Sequence, residues 1–136
     1  MTGPQDLVKL IVEPVLTQLR SGDLADLVFE GDVAGNPERY VNVYHDLGNR
    51  VSRTIVDEVG DVTVTFWVHS IGKERWQAVW CSDRVTLALH KFRPVIEGRT
   101  CFPMRHVGGQ SIKKDDSVSP PRLFGVDMWE LHTTLG

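Results

Sequence analysis

The apolar positions of this chain fall into two periods, one helical and one of two residues. Val8, Ile11, Val12, Val15, Leu16 and Leu19 recur at helical spacing. Pro4 suits a first helical turn, where its missing N–H costs nothing, and Ser21-Gly22 reads as the stop. Pro14 lies inside the pattern, so a kink, or a break into two short helices, is expected near Val12-Glu13. A second helical pattern runs from about Lys73 to Phe92 and ends before Pro94, which pushes Arg93 out of helical conformation.

The period of two is clearest in "DVTVTFWVHS", residues 61–70. Val62, Val64, Phe66 and Val68 take one face, and Thr63, Thr65, Trp67 and His69 take the other. "RYVNVYHD" is a second strand, in which Val41 and Val43 alternate with Tyr40, Asn42 and Tyr44. Shorter strands are expected at Leu27–Phe29 and in "VSRTIVDE", the latter reached through a "DLGNR" turn. "RTCFPMRHV" reads as a strand in which Pro103 demands an edge position or a bulge. "LFGVDMWELHTTL" is the closing strand, preceded by "GGQSIKKDDSVSPPR", which reads as a long polar loop. Helix, strands, helix, strands in this order predicts an α+β fold. The expected form is an antiparallel or mixed sheet of about four to five strands with two helices packed on one face. At 136 residues the chain, 1–136, is expected to be one domain.

The second helix has two apolar stripes. At roughly 100° per residue, Ala78, Cys81, Val85, Ala88, Leu89 and Phe92 share the stripe that would face the sheet. This makes Cys81 a small buried hydrophobe rather than a reactive thiol. Trp76, Val79, Trp80 and Leu87 lie nearly opposite, with Asp83 and His90 at their edge. A surface helix needs only one apolar face, so the second is expected to meet either the first helix or another protein chain. Tryptophan is a favoured anchor of protein interfaces. Trp76, Val79, Trp80 and Leu87 are therefore candidate subunit-interface residues. Thr63, Thr65, Trp67 and His69, on the polar reverse of the 61–70 strand, are a second candidate patch.

Composition narrows the chemistry. The chain is 41% hydrophobic and 24% charged, with net charge −3 and a pI near 5.9. This gives no footprint for nucleic acid or an anionic membrane, and Lys113-Lys114 is cancelled by Asp115-Asp116. Cys81 and Cys101 form no CxxC pair and suit a reducing compartment. The N-terminal stretch reads as neither a secretory signal nor a membrane span, so folding in a cytoplasm is expected. His45, His69, His90, His106 and His132 are scattered. The nearest metal-like pair, Cys101 and His106, lacks further ligands close by. No nucleophile elbow, phosphate-cradling loop or dinucleotide fingerprint is present. The expectation is no catalytic residue, no cofactor and no metal. The alternative from another class is a small-molecule-binding or small enzymatic domain. Its pocket would lie between the sheet and the 92–121 segment and include Trp67, His69 and His106.

The order of elements resembles a known family. An amphipathic helix precedes "ERYVNVYHD" and "DVTVTFWVHS"; "WQAVWCSDRVTLALHKF" and a loop-rich tail ending in "GVDMWELHTT" follow. This is similar to the tail terminator (tail completion) proteins of long-tailed, non-contractile bacteriophages, those of actinobacterial phages included. The resemblance runs from Leu7 to Thr133 and is one of element order, length and character. Its most telling part is the strand "TVTFWVHS" leading into the helix "QAVWCSDRVTLAL". It implies a non-enzymatic α+β subunit, without cofactor, that forms a hexameric ring on the finished tail tube. Such a ring ends tube polymerisation and joins the head. The implied partners are further copies of itself, the major tail tube protein and the head–tail connector proteins. The implied location is the head-proximal end of the virion tail, after assembly in the host cytoplasm. A head–tail connector or neck protein is the close rival. Within the 109–121 loop, Gln110, Lys113, Lys114, Asp115 and Asp116 are the candidate tube- or connector-facing residues, expected to order against a neighbour.

Overall fold

The alternation in residues 61–70 is realised in a strand that runs two residues further. The computed structural model describes residues 7–46, 48–51, 61–117 and 121–135. In chain order its elements are α1 (Leu7–Leu19), β1 (Val28–Phe29), β2 (Arg39–His45), β3 (Asn49–Val51), β4 (Asp61–Gly72), α2 (Arg75–Leu89), β5 (Arg99–Cys101), β6 (Arg105–Asp115) and β7 (Arg122–Leu135). All the strands form one mixed sheet. At its centre β4 and β7 pair antiparallel, from Val62↔Thr133 to Gly72↔Leu123. On the far edge of β4 lie β2 and β3, as two pieces of one interrupted lane. On the far edge of β7 lie β5 and β6, interrupted at Phe102–Met104. β1 closes the β2 side, parallel to it, with Val28 opposite Val41.

The core follows from the register. Val62, Val64, Phe66 and Val68 are fully buried, and their β7 neighbours Leu131 and Trp129 point the same way. Val41 and Val43 extend this face on β2. Ile11, Val15, Leu16 and Leu19 of α1, with Cys81, Val85 and Leu89 of α2, complete the same cluster. Both helices therefore cover one face of an α+β sheet. The turn from β4 into α2 is tight enough to need glycine. A Cβ on Gly72 would stand 2.6 Å from Gln77 Cβ and 2.8 Å from the Ala78 nitrogen.

Several boundaries differ from the reading of the sequence. α1 does not break at Pro14. Leu10, four residues earlier, is on the outer side of the helix at 39% exposure, where water can serve a carbonyl that loses its donor. α2 is shorter than expected at both ends. Gln77 Oε1 accepts from the Lys73 and Glu74 N–H groups at its start, and Lys91 takes a left-handed φ of 59° just past its end. In "DLGNR" the last two residues are strand, since β3 begins at Asn49, and Leu47 lies outside the described residues. "VSRTIVDE" begins on the last residue of β3, and residues 52–60 lie outside the described residues. Pro103 separates two strands on one edge.

The largest correction concerns 109–121. Gly109–Asp115 is not loop but the second half of β6, paired with β7 as far as Asp115↔Arg122. Most of β6 is exposed, and its register shifts twice, so no alternation survives for a sequence reading to detect. Its strand form is carried chiefly by backbone pairing with β7.

Phe66→Ala is expected to lower the unfolding free energy by about 3–5 kcal/mol in urea titrations, the usual range for a fully buried aromatic. Trp76→Ala should change it by less than about 0.5 kcal/mol. Equal losses at both positions would contradict this assignment of the core.

Candidate functional site

The outer stripe of α2 divides into covered and bare residues. Trp76 is 72% exposed and Leu87 75%, whereas Val79 and Trp80 are half-buried. Trp80 is covered by its own chain: the guanidinium carbon of Arg39 lies 3.6 Å from its ring centre, and that of Arg84 4.7 Å. Arg84 is steadied by Asp23 at 3.1 Å. α1 bonds to α2 at the other end, where Gln18 Nε2 donates to the Ala88 carbonyl at 3.0 Å. Trp80 is thus covered from β2, an option the sequence reading did not raise. Asp83 and His90 are exposed beside the stripe.

On the inner stripe Cys81 is fully buried. Burial pushes its thiol up to about 11, outweighing the opposing pull of Arg39 and Arg84. Cys101 is buried with its Sγ 3.7 Å from Thr133 Oγ1, and both cysteines are free. His106 bonds elsewhere, so Cys101 and His106 make no shared site. Among the described residues no three His, Cys, Asp or Glu side chains converge to hold a metal ion.

Thr63, Thr65, Trp67 and His69 lie on the face turned away from the helices, all half-buried. At one end Thr63 Oγ1 and His132 Nδ1 are 2.8 Å apart, and Phe102 stacks on His132 at 5.3 Å. At the other end His69 packs edge-on to Tyr44 at 5.0 Å and parallel to Phe124 at 6.3 Å. The 31–38 segment folds over this end. Asn42 and Gly31 exchange two hydrogen bonds, while Arg122 donates to Asn36 Oδ1 at 2.6 Å and to the Pro37 and Glu38 carbonyls at 3.3 Å. The result is a half-open cavity of about 520 Å³, with Tyr40, Tyr44, His69, Phe124, Asp115 and Arg122 in its walls. Burial holds His69 below its ordinary pKa.

This is not the pocket expected from the sequence. His106 aligns with Trp129, so it belongs to the helix-side face, and the sheet separates it from Trp67 and His69. Its Nε2 lies 3.0 Å from Asp127 Oδ1, and Asp127 Oδ2 accepts from Ser82 Oγ at 2.9 Å. Here the carboxylate stands between hydroxyl and imidazole, the reverse of a relay in which imidazole takes the serine proton. The trio ties α2, β7 and β6 together. The cavity-forming Tyr40, Tyr44, Phe124 and Arg122 were missed. The alternation of Tyr40 and Tyr44 with Val41 and Val43 was the only available signal, and it gave their face but not their neighbours.

Gln110, Lys113, Lys114 and Asp115 belong to β6, and Asp116 to the turn after it. Lys114 Nζ is 3.6 Å from Asp116 Oδ1. Ser117 donates to Asp115 through its hydroxyl and its N–H, holding that carboxyl below the usual range.

No family model and no curated protein matches the chain. Among solved structures it is similar to a chain from the virion of a native gene transfer agent (GTA) particle. The TM-score is 0.60 at 17% identity, covering 88% of this chain and 92% of that one. The two chains share a fold.

Two solution properties follow. His69 binds a proton less readily folded than unfolded, so stability should fall as pH drops below its ordinary value of 6.5. Urea titrations between about pH 7 and about pH 5.5 should show that fall, and His69→Gln should flatten it; an unaltered slope would contradict the assignment. In the folded protein Cys81 should resist a thiol-specific disulfide reagent at about pH 8 and react on unfolding. Rapid native labelling of Cys81 would show that it is not buried.

Proposed function

We propose that this chain is a structural subunit of a phage-type virion. It caps the tail tube as a homo-oligomeric ring, hexameric by resemblance, ends tube polymerisation and provides the joint to the head connector. The observation that carries this reading is the fold shared over nearly the full length of both chains with a component of a virion particle. The order of elements that resembles tail terminators points the same way. The surface suits an assembly subunit, which must meet other proteins on more than one side. Trp76 and Leu87 stand bare on α2, and the opposite sheet face carries Trp67 and the aromatic cavity. The subunit works by packing, without catalysis or a cofactor, at the head-proximal end of the tail. Its partners are the tube protein, the connector proteins and other copies of itself.

Deleting the gene from its phage should give overlong or ragged tails unattached to heads. Normal-length tails beside unattached heads would overturn termination and indicate a neck protein. A supplied wild-type gene should restore infectious particles, whereas Trp76→Ser/Leu87→Ser should yield folded protein that does not. Full restoration by that variant would remove the α2 stripe from the interface.

A further inference from the structure

The modest net charge of the chain conceals a polarity across its sheet. One edge is formed by β1 and the segment around it. From Asp23 to Glu38 there are five acids and no lysine or arginine. All five, Asp23, Asp26, Glu30, Asp32 and Glu38, are exposed. Asp23 is held by Arg84, and Glu30 lies 3.9 Å from Arg20. Asp26 and Asp32 have no ion-pair partner among the described residues. The bare Leu87 shares a groove with Asp23 and Leu24 beside this edge.

The opposite edge is formed by β5 and β6. From Lys91 to Lys114 there are six lysines and arginines and one acid, before the Asp115-Asp116 pair at the tip. Arg93 and Lys113 are exposed without an ion-pair partner among the described residues. Exposed apolar residues accompany the charge here too: Val95 at 95%, Phe102 at 46% and Val107 at 38%. Among the described residues β6 pairs only with β7, so its outer backbone edge is open. Its lysines and irregular register discourage pairing with an identical strand.

We infer that copies of this chain associate head to tail, with the basic β5–β6 edge of one against the acidic 23–38 edge of the next. A two-fold contact would set like charges against each other across either edge. The head-to-tail contact sets opposite charges together and brings apolar residues to the join from both sides. A contact of this kind closes into a ring or runs on as a filament, according to the rotation it imposes. The inference names the subunit contact of the proposed ring and rests on that reading for closure; the choice of surfaces rests on charge.

The test exchanges charge between the edges of the full chain. Asp26→Lys/Asp32→Lys leaves the 23–38 edge with three acids and two lysines, and Arg93→Glu/Lys113→Glu leaves the 91–114 edge with four bases and three acids, so each nearly cancels the charge of one edge. The four positions are exposed and unpaired, so both proteins should fold, which circular dichroism checks. Each alone should self-associate at least about tenfold more weakly than wild type in light scattering, whereas a mixture of the two should recover pairing between the unmodified basic edge of the first and the unmodified acidic edge of the second. Wild-type assembly should also weaken as salt is raised, a readout that needs no variant. Assembly unaffected by either reversal and by salt would overturn the choice of surfaces and leave the ring reading standing. A wild-type chain that stays monomeric alone and in the presence of tail tubes would overturn both.

Discussion

The antiparallel pairing of β4 with β7 is the constraint on which the other elements depend. It aligns Phe66 with Trp129 and Val64 with Leu131, so fully buried apolar side chains of both strands meet on one face. Side chains alternate strictly along a strand, so a slip of one residue would turn Val62, Val64, Phe66 and Val68 toward solvent. That penalty fixes the register. With it fixed, the helices have one face to cover, and every remaining strand lies outward of these two. The separation of an acidic from a basic edge is a consequence: the chain before β4 supplies one side of the sheet, and the chain between α2 and β7 supplies the other.

The helix between them serves two layers. Gly72 lets α2 start almost against the end of β4, which places Cys81, Val85 and Leu89 on the sheet. Its outer side is partly sealed by Arg39 and Arg84 over Trp80, a cover made of charge on an aromatic ring instead of apolar packing. Trp76 and Leu87 are left bare. Ser82, Asp127 and His106 bind α2 through β7 to β6. The exposed edge strand is therefore anchored to the core, and its charges keep a defined position relative to the helix.

What the sequence disclosed follows from which interactions leave a periodic trace. Both helices, the 61–70 strand, the inner stripe of α2 and the α+β class were legible because burial on one face imposes a period on apolar residues. Strand β6 was not, because it is built chiefly by backbone pairing with β7 and most of its side chains face water. The cover of Trp80 was not, because Arg39 is 41 positions away and nothing in the local pattern links the two. His106 was assigned to the wrong side of the sheet for a related reason: the face of an edge strand depends on a register that its own residues do not encode. The charge polarity was present in the composition of two segments, but it had no meaning until the topology placed them on opposite edges.

The proposed role requires this chain to bind the end of a tail tube. The most direct measurement is electron microscopy of the purified chain added to growing tubes of its cognate tail tube protein. The account predicts a ring at one end of each tube and an arrest of elongation at capped ends. Decoration along the tube wall, or tubes that lengthen past the added chain, would contradict it.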